Sequence, residues 1–104
     1  YDQLTDQGEI HDHYRIDYLK AHIKEMRLAV VEDGVPVIGY TPWGIIDPVS
    51  FGTGEMEKRY GMIHVDRDNA GNGTLKRRKK QSFAWYKRVI ATNGEDLDHD
   101  GYTL

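Results

Sequence analysis

A short stretch of the chain, "SFGTGEMEKRYG" at residues 50–61, brings three different polar groups close together in sequence. Lys58 offers a point charge that binds phosphate well, and the hydroxyls of Ser50 and Tyr60 can donate to the remaining phosphate oxygens. Upstream, Trp43 offers a flat apolar face and one N–H donor, which suit a sugar ring. These four residue types together predict a binding site for an anionic sugar. A loop that meets only water is the simpler interpretation of the three polar residues alone, and Trp43 fits a core or lid position equally well.

The composition indicates one small soluble domain. The chain has 104 residues, of which 38% are apolar and 30% charged, and it contains no cysteine. Disulfides and thiolate metal sites are therefore excluded, and no apolar run approaches the ~20 residues of a membrane helix. The five histidines lack a zinc-binding spacing, so we expect no metal. The absence of cysteine allows a cytoplasmic setting, and we expect no membrane partner.

The charge balance argues against a nucleic-acid partner. The net charge is −3, whereas nucleic-acid binders are usually basic. The one basic run, "KRRKK" from Lys76 to Lys80, is predicted to be the solvated entry to the helix that follows it. A phosphate contact by this run is the alternative, and it would make binding steeply dependent on salt.

The first periodic segment predicts an amphipathic helix from His13 to Glu32, with Asp12 as its N-cap and Gly34 as its stop. Apolar residues recur there every three or four positions and form one stripe. The members of this stripe are Ile16, Leu19, Ile23, Met26 and Val30.

The apolar run from Val35 to Tyr40 predicts a strand that is buried on both faces, as in parallel sheets covered by helices. Pro42 and Gly44 end it, so its carboxyl end lies between Tyr40 and Trp43. Ligands of parallel α/β folds bind beyond such ends. The predicted sugar site therefore lies in the place where this fold class positions ligands.

The second half predicts a short hairpin and a helix. A strand is expected at Tyr60 to Val65, then a turn at "DNAGNG", then an extended piece through Thr74 and Leu75. A helix is expected from Lys79 to Thr92, with its buried face on Ser82, Phe83, Tyr86, Val89 and Ile90, Trp85 at the flank, and Asn93 and Gly94 at its end. The acidic tail from Asp96 is expected to fray.

The order of helix, buried strand, loop with hairpin and helix indicates an α/β fold, but one parallel strand cannot form a sheet. Its partners must come from residues upstream or from another chain. The first residue is Tyr1 rather than methionine, which agrees with an upstream continuation.

Four motifs follow one another in the order of a known family: "HDHYRIDYL", "GYTPWGIIDPVS", "KRYG" and "SFAWYKRVI". Together they cover nearly the whole chain to about Leu97. The chain resembles the C-terminal end of glycoside hydrolase family 1, in particular the bacterial 6-phospho-β-glucosidase branch of that family. The resemblance implies an α/β fold that is the C-terminal part of a (β/α)8 TIM barrel, incomplete as given. Its expected elements are helix 7, strand 8, a long loop with a hairpin, and helix 8, all within one domain over residues 1–104.

The resemblance also implies roles for the polar loop. Trp43 matches the tryptophan that lines the sugar subsite after the eighth strand, and Lys58 and Tyr60 match the lysine and tyrosine of the phosphate site. Ser50 matches the position where members that act on unphosphorylated glycosides carry a glutamate, and Thr53 is a second candidate for this place. A carboxylate would repel a 6-phosphate, whereas a serine can donate to it.

The family hydrolyses glycosides with retention, using one glutamate in an Asn-Glu-Pro motif and one in a Glu-Asn-Gly motif. Neither motif occurs in residues 1–104. The resemblance therefore implies that this segment recognises a 6-phosphorylated β-glucoside within a longer cytoplasmic enzyme, that no metal or organic cofactor takes part, and that the segment alone is inactive. The alternative is a stand-alone binding or interaction module, whose exposed edges would favour a homo-oligomer.

Overall fold

The structure, a computed structural model, describes residues 2–99. Two helices and a two-stranded antiparallel ribbon follow one another as α1 (His13–Val31), β1 (Ile63–Val65), β2 (Arg77–Lys79) and α2 (Gln81–Ala91). Ile63 lies opposite Lys79 in the ribbon. The helices pack against each other, and β2 contacts α2. Both helices begin and end within about two residues of the predicted bounds, as expected for strongly periodic segments.

The core lies between the two helices and is centred on Trp85. The Trp85 side chain is fully buried, and its Nε1–H donates to the Leu97 carbonyl oxygen at 3.1 Å. The other core residues come from both helices and from the segments beside them: Ile16, Leu19, Ile23, Met62, Val89 and Leu97. The prediction of Trp85 as a flanking residue was wrong, because the buried face of α2 is rotated toward it and leaves Ile90 exposed.

The predicted frayed tail is in part packed. Leu97 is buried in the core, and its carbonyl accepts the Trp85 hydrogen bond, so residues 96–99 are held against α2. The rest of the predicted tail, residues 100–104, and the first residue, Tyr1, lie outside the described part of the chain.

The predicted strand from Val35 to Tyr40 does not form in this chain. These residues have no strand pairing with residues 2–99, and Ile38 is fully exposed. The Val35 N–H donates to the Ala29 carbonyl at 3.0 Å, which closes the end of α1 instead. A strand needs at least one hydrogen-bonded neighbour, and the described residues supply none for this run. Exposed apolar runs of this kind are typical of interaction surfaces.

The hairpin differs from the prediction in both strands. β1 begins at Ile63 rather than Tyr60, and β2 lies at Arg77–Lys79 rather than at Thr74 and Leu75. Thr74 instead donates to the Asp66 carboxylate through its backbone N–H at 3.1 Å and its hydroxyl at 2.7 Å. At Gly73 a Cβ would lie 2.1 Å from the Asp66 carbonyl oxygen, so only glycine fits this close approach.

Two charged residues have roles that the sequence did not reveal. Asp12 precedes α1 as predicted, yet its carboxylate accepts from the backbone N–H and hydroxyl of Ser82 rather than capping the helix. Lys80 is buried, with 2% of its surface exposed, although the basic run was predicted to be solvated. That prediction holds for residues 76–79 only, because the Lys80 ammonium has buried carboxylate partners. In residues 2–99, no helix is both long enough and apolar enough to cross a membrane.

Candidate functional site

The polar loop from Asp47 to Gly61 is closed at its base by one carboxylate. Asp47 Oδ1 accepts from the Gly61 backbone N–H at 3.0 Å and from Lys80 Nζ at 2.7 Å. A Cβ at Gly61 would lie 2.6 Å from the Asp47 backbone nitrogen, so the two ends of the loop touch through their backbones. The loop therefore has a fixed base, and its two ends cannot move apart independently.

Trp43 and Tyr60 come together on the outer side of this base. Their ring centroids are 6.0 Å apart with planes inclined by 65°, and the Phe51 ring centroid lies 5.6 Å from that of Trp43 with planes inclined by 69°. Both geometries are the edge-to-face arrangement that aromatic pairs prefer. Trp43 and Tyr60 remain partly exposed and line a cavity of about 480 Å³. The residues on its remaining walls are Tyr14, Arg15, Tyr18, Leu19, Tyr40, Thr41, Pro42, Gly44 and Met62.

Lys58 and Ser50 do not line that cavity. Lys58 is half-buried and forms no hydrogen bond or ion pair with residues 2–99. Ser50 is 4% exposed, and its backbone holds a tight turn: its N–H donates to the Glu55 carbonyl at 3.0 Å, and its carbonyl accepts from Gly54 at 2.7 Å. Thr53 is exposed on the same turn. The structure thus brings the Trp43 and Tyr60 rings together beside one cavity. Lys58 and Ser50 belong to the same stretch of chain but do not line that cavity.

A buried network of charges lies beneath the loop. Lys80 Nζ donates to Asp2, to Asp47 and, at 2.7 Å, to the Gly61 carbonyl. Arg59 Nη1 donates to Asp47 Oδ2 at 3.1 Å. Three cations, Arg15, Arg59 and Lys80, thereby meet three carboxylates, Asp2, Asp12 and Asp47. Buried charges need this kind of mutual pairing, since each alone would be costly to desolvate.

The network shifts the acid–base behaviour of its members. Burial by itself raises the pKa of Asp2, but the hydrogen bonds from Lys80 and Tyr14 outweigh it and hold that pKa below its usual value. Burial and the hydrogen bond to Asp2 raise the pKa of the Tyr14 phenol. Both shifts favour an ionised Asp2 and a neutral Tyr14 at neutral pH, so Asp2 remains a fixed anion of the network.

His64 is a buried titratable group beside this network. It lies on β1 with 6% of its surface exposed, and its Nδ1 has no hydrogen-bond partner among residues 2–99. Burial lowers the pKa of His64, and the nearby Arg59 charge lowers it further. Across the described part of the chain, no group of three or more His, Asp or Glu residues is arranged to hold a metal ion.

The residues that hold the loop were not predicted from the sequence. Arg59 and Lys80 lie among other polar residues, so neither periodicity nor composition distinguishes them from exposed charges, whereas Asp47 is a single carboxylate within the apolar stretch "IIDPV". Two further weak signals were present. Gly61 directly follows the predicted site residue Tyr60, and Lys80 directly precedes the first residue of α2.

Comparison with known proteins adds an independent line of evidence. A family model described as Glycosyl hydrolase family 1 matches residues 1–95. The aryl-phospho-β-D-glucosidase BglA of Bacillus subtilis is 67% identical over 96 residues, which are 92% of this chain and 20% of that protein. The 6-phospho-β-glucosidase AscB of Escherichia coli is 61% identical over 97 residues, or 93% of this chain and 20% of that protein.

Among solved structures, the family 1 β-glucosidase from Thermotoga maritima superposes with a TM-score of 0.79 at 38% identity. The match covers 92% of this chain and 20% of that one. The chain therefore spans about a fifth of the length of the proteins it matches.

Proposed function

The chain belongs to glycosyl hydrolase family 1, and we propose that it is the C-terminal segment of an enzyme that hydrolyses β-glucosides phosphorylated at carbon 6. One observation carries this proposal. Over nearly the same residues, identity is 67% and 61% to two proteins named for phosphorylated β-glucosides, but 38% to a protein named only as a β-glucosidase. The substrate class is taken from those names, and the loop chemistry of this chain supports it.

The proposed phosphate site uses the free cation of the loop. Lys58 has no carboxylate partner among the described residues, so its charge is available to an incoming phosphate. Tyr60 offers its hydroxyl beside Trp43, whose ring supplies the apolar face for the sugar. Ser50, or Thr53 on the same turn, donates the remaining hydrogen bond. This arrangement recognises the sugar phosphate and does not break the glycosidic bond.

The chemistry belongs to carboxylates outside residues 1–104. A retaining hydrolase needs one carboxylate as nucleophile and one as acid and base, and the reaction passes through a covalent glycosyl-enzyme. In the proposed full-length enzyme, the exposed segment Val35–Tyr40 joins the sheet of a single barrel domain and so gains the partners it lacks here. The segment alone is proposed to be inactive, and no metal or organic cofactor is required.

The proposal is tested on the full-length polypeptide that contains this chain. We would measure kcat/KM for 4-nitrophenyl β-glucoside with and without a 6-phosphate. Lys58→Ala is expected to lower kcat/KM for the phosphorylated substrate by roughly ten- to a hundredfold, the usual range for losing a hydrogen bond to a charged group. The unphosphorylated substrate should change little.

Lys87→Ala is the matched control, because Lys87 is an exposed lysine on α2. It should leave both substrates unaffected. If Lys58→Ala lowers kcat/KM equally for the two substrates, Lys58 does not recognise the phosphate, and the proposed specificity is wrong.

A further inference from the structure

Arg59 lies between the two proposed phosphate ligands Lys58 and Tyr60, and its side chain is directed into the protein. The guanidinium donates to the Val65 carbonyl at 2.6 Å and the Arg67 carbonyl at 2.9 Å, in addition to Asp47. Only 13% of its side chain is exposed. The fork of an arginine can meet three acceptors in this way, whereas a lysine offers a single point of attachment.

The backbone of Arg59 is held as firmly as its side chain. Its φ of 42° is in the left-handed region, which is unfavourable for a residue other than glycine. Its carbonyl accepts a hydrogen bond from Arg15 Nη2, and the Arg15 guanidinium is itself paired with Asp12. Contacts at both ends of the residue therefore maintain a conformation that the backbone would not adopt unaided.

We propose that Arg59 is a positioning residue that fixes the direction of Lys58 and Tyr60 and so sets the preference for a phosphorylated sugar, an inference that rests on the proposed function. Arg59 is covalently joined to both proposed ligands, so the conformation of its backbone sets the direction in which the chain leaves it on either side. Tyr60 is 43% exposed beside Trp43 and Lys58 is half-buried, whereas the Arg59 side chain is enclosed. Releasing the Arg59 guanidinium lets the left-handed turn relax and moves both proposed ligands together.

The test is Arg59→Lys in the full-length polypeptide, which keeps the charge and removes the fork. The ratio of kcat/KM for phosphorylated over unphosphorylated substrate is expected to fall roughly tenfold, since small displacements of a binding group are costly. The fall should appear mainly as a higher KM for the phosphorylated substrate. Arg77→Lys is the matched control, because Arg77 is an exposed arginine whose guanidinium also donates to a backbone carbonyl, that of Leu75. It should leave the ratio unchanged.

The outcomes distinguish the positioning role of Arg59 from the proposed function. If Lys58→Ala lowers the ratio and folded Arg59→Lys leaves it unchanged, the positioning role is wrong and the proposed function stands. If Arg59→Lys reduces activity on both substrates equally, its role is structural only, and the inference fails. If Lys58→Ala leaves the ratio unchanged, the proposed function itself fails.

Folding of the variant is checked by its thermal unfolding midpoint. If Arg59→Lys does not accumulate as folded protein, the same ratio is measured for Arg15→Lys, which loosens the other attachment of Arg59 through its carbonyl. That variant should also lower the ratio, and an unchanged ratio would overturn the inference.

Discussion

Tyr60 packs edge to face against Trp43, with ring centroids 6.0 Å apart. Trp43 precedes the polar loop and Tyr60 lies near its end, and the Asp47 carboxylate closes the loop at its base. The position of the Tyr60 ring is therefore set by aromatic packing and by the loop base rather than by its hydroxyl, for which no hydrogen bond is formed with residues 2–99. The hydroxyl can be removed without disturbing the ring.

Tyr60→Phe is accordingly expected to separate binding of phosphate from binding of the sugar. In the full-length polypeptide, kcat/KM for the phosphorylated glucoside should fall by about tenfold, the loss of one hydrogen bond to a charged acceptor. The unphosphorylated glucoside should be hydrolysed as before. Tyr86→Phe is the control, because it removes a tyrosine hydroxyl that donates to the Tyr40 carbonyl away from the loop. Identical substrate ratios for Tyr60→Phe and the unaltered enzyme would exclude the Tyr60 hydroxyl from the site.

Ser50→Glu should shift the substrate preference away from the phosphorylated glucoside. Ser50 is 4% exposed, so a carboxylate placed there is poorly solvated and repels a nearby phosphate strongly. The ratio of kcat/KM for phosphorylated over unphosphorylated substrate is expected to drop by at least about tenfold. Thr53→Glu, on the exposed part of the same turn, tells the two candidate positions apart. A larger drop for Thr53→Glu would assign the phosphate contact to Thr53 instead of Ser50.

The helices could be predicted from the sequence because their information is local. The spacing of Ile16, Leu19 and Ile23 gives the buried face of α1, and the structure buries all three. The apolar run from Val35 to Tyr40 is equally clear in sequence, yet it forms no strand here. A strand depends on hydrogen bonds to neighbours, and for this run the described residues supply none.

The charge network could not be predicted, because its partners are far apart in sequence. Lys80 meets Asp2 and Asp47, which lie 78 and 33 positions away. A pattern of charges in the sequence does not indicate which of them will be enclosed together. The chemistry proposed for the site residues follows from their types and stays a prediction, whereas the base that holds the loop became visible only in the structure.

His64 should make stability depend on pH in a predictable direction. Burial lowers the pKa of His64 in the folded protein below its unfolded value of 6.5. The unfolded state therefore binds a proton first, so stability is fully present above about pH 6.5 and is lost as the pH falls through the lower folded pKa. His64→Gln should reduce the loss of unfolding free energy between pH 7 and 5, a range chosen around the usual histidine pKa.

This is measured by urea unfolding of the full-length polypeptide at each pH. His22→Gln is the control, because His22 is exposed on α1 and its Nδ1 bonds only to the Tyr18 carbonyl of the same helix. An unaltered pH dependence in His64→Gln would mean that this histidine is protonated equally easily in the folded state.

Lys80→Met tests whether the loop base depends on the buried ammonium. Methionine is of similar length and apolar, so it fills the space but leaves Asp2 and Asp47 as buried carboxylates without their shared cation. Breaking a buried pair in this way typically costs about 3–5 kcal/mol of unfolding free energy, measured here by urea unfolding. Lys76→Met, at an exposed position of the same basic run, should change it by less than about 1 kcal/mol.

The same substitution has a consequence at low pH, because the Lys80 hydrogen bond is the largest of the contacts that lower the pKa of Asp2. A carboxylate with a lowered pKa contributes stability above its unfolded pKa and loses it as the pH falls through the folded one. Without Lys80, the pKa of Asp2 rises, so acid unfolding of Lys80→Met should begin at a higher pH than in Lys76→Met. If both variants unfold at the same pH and the same urea concentration, the ammonium does not hold the loop base.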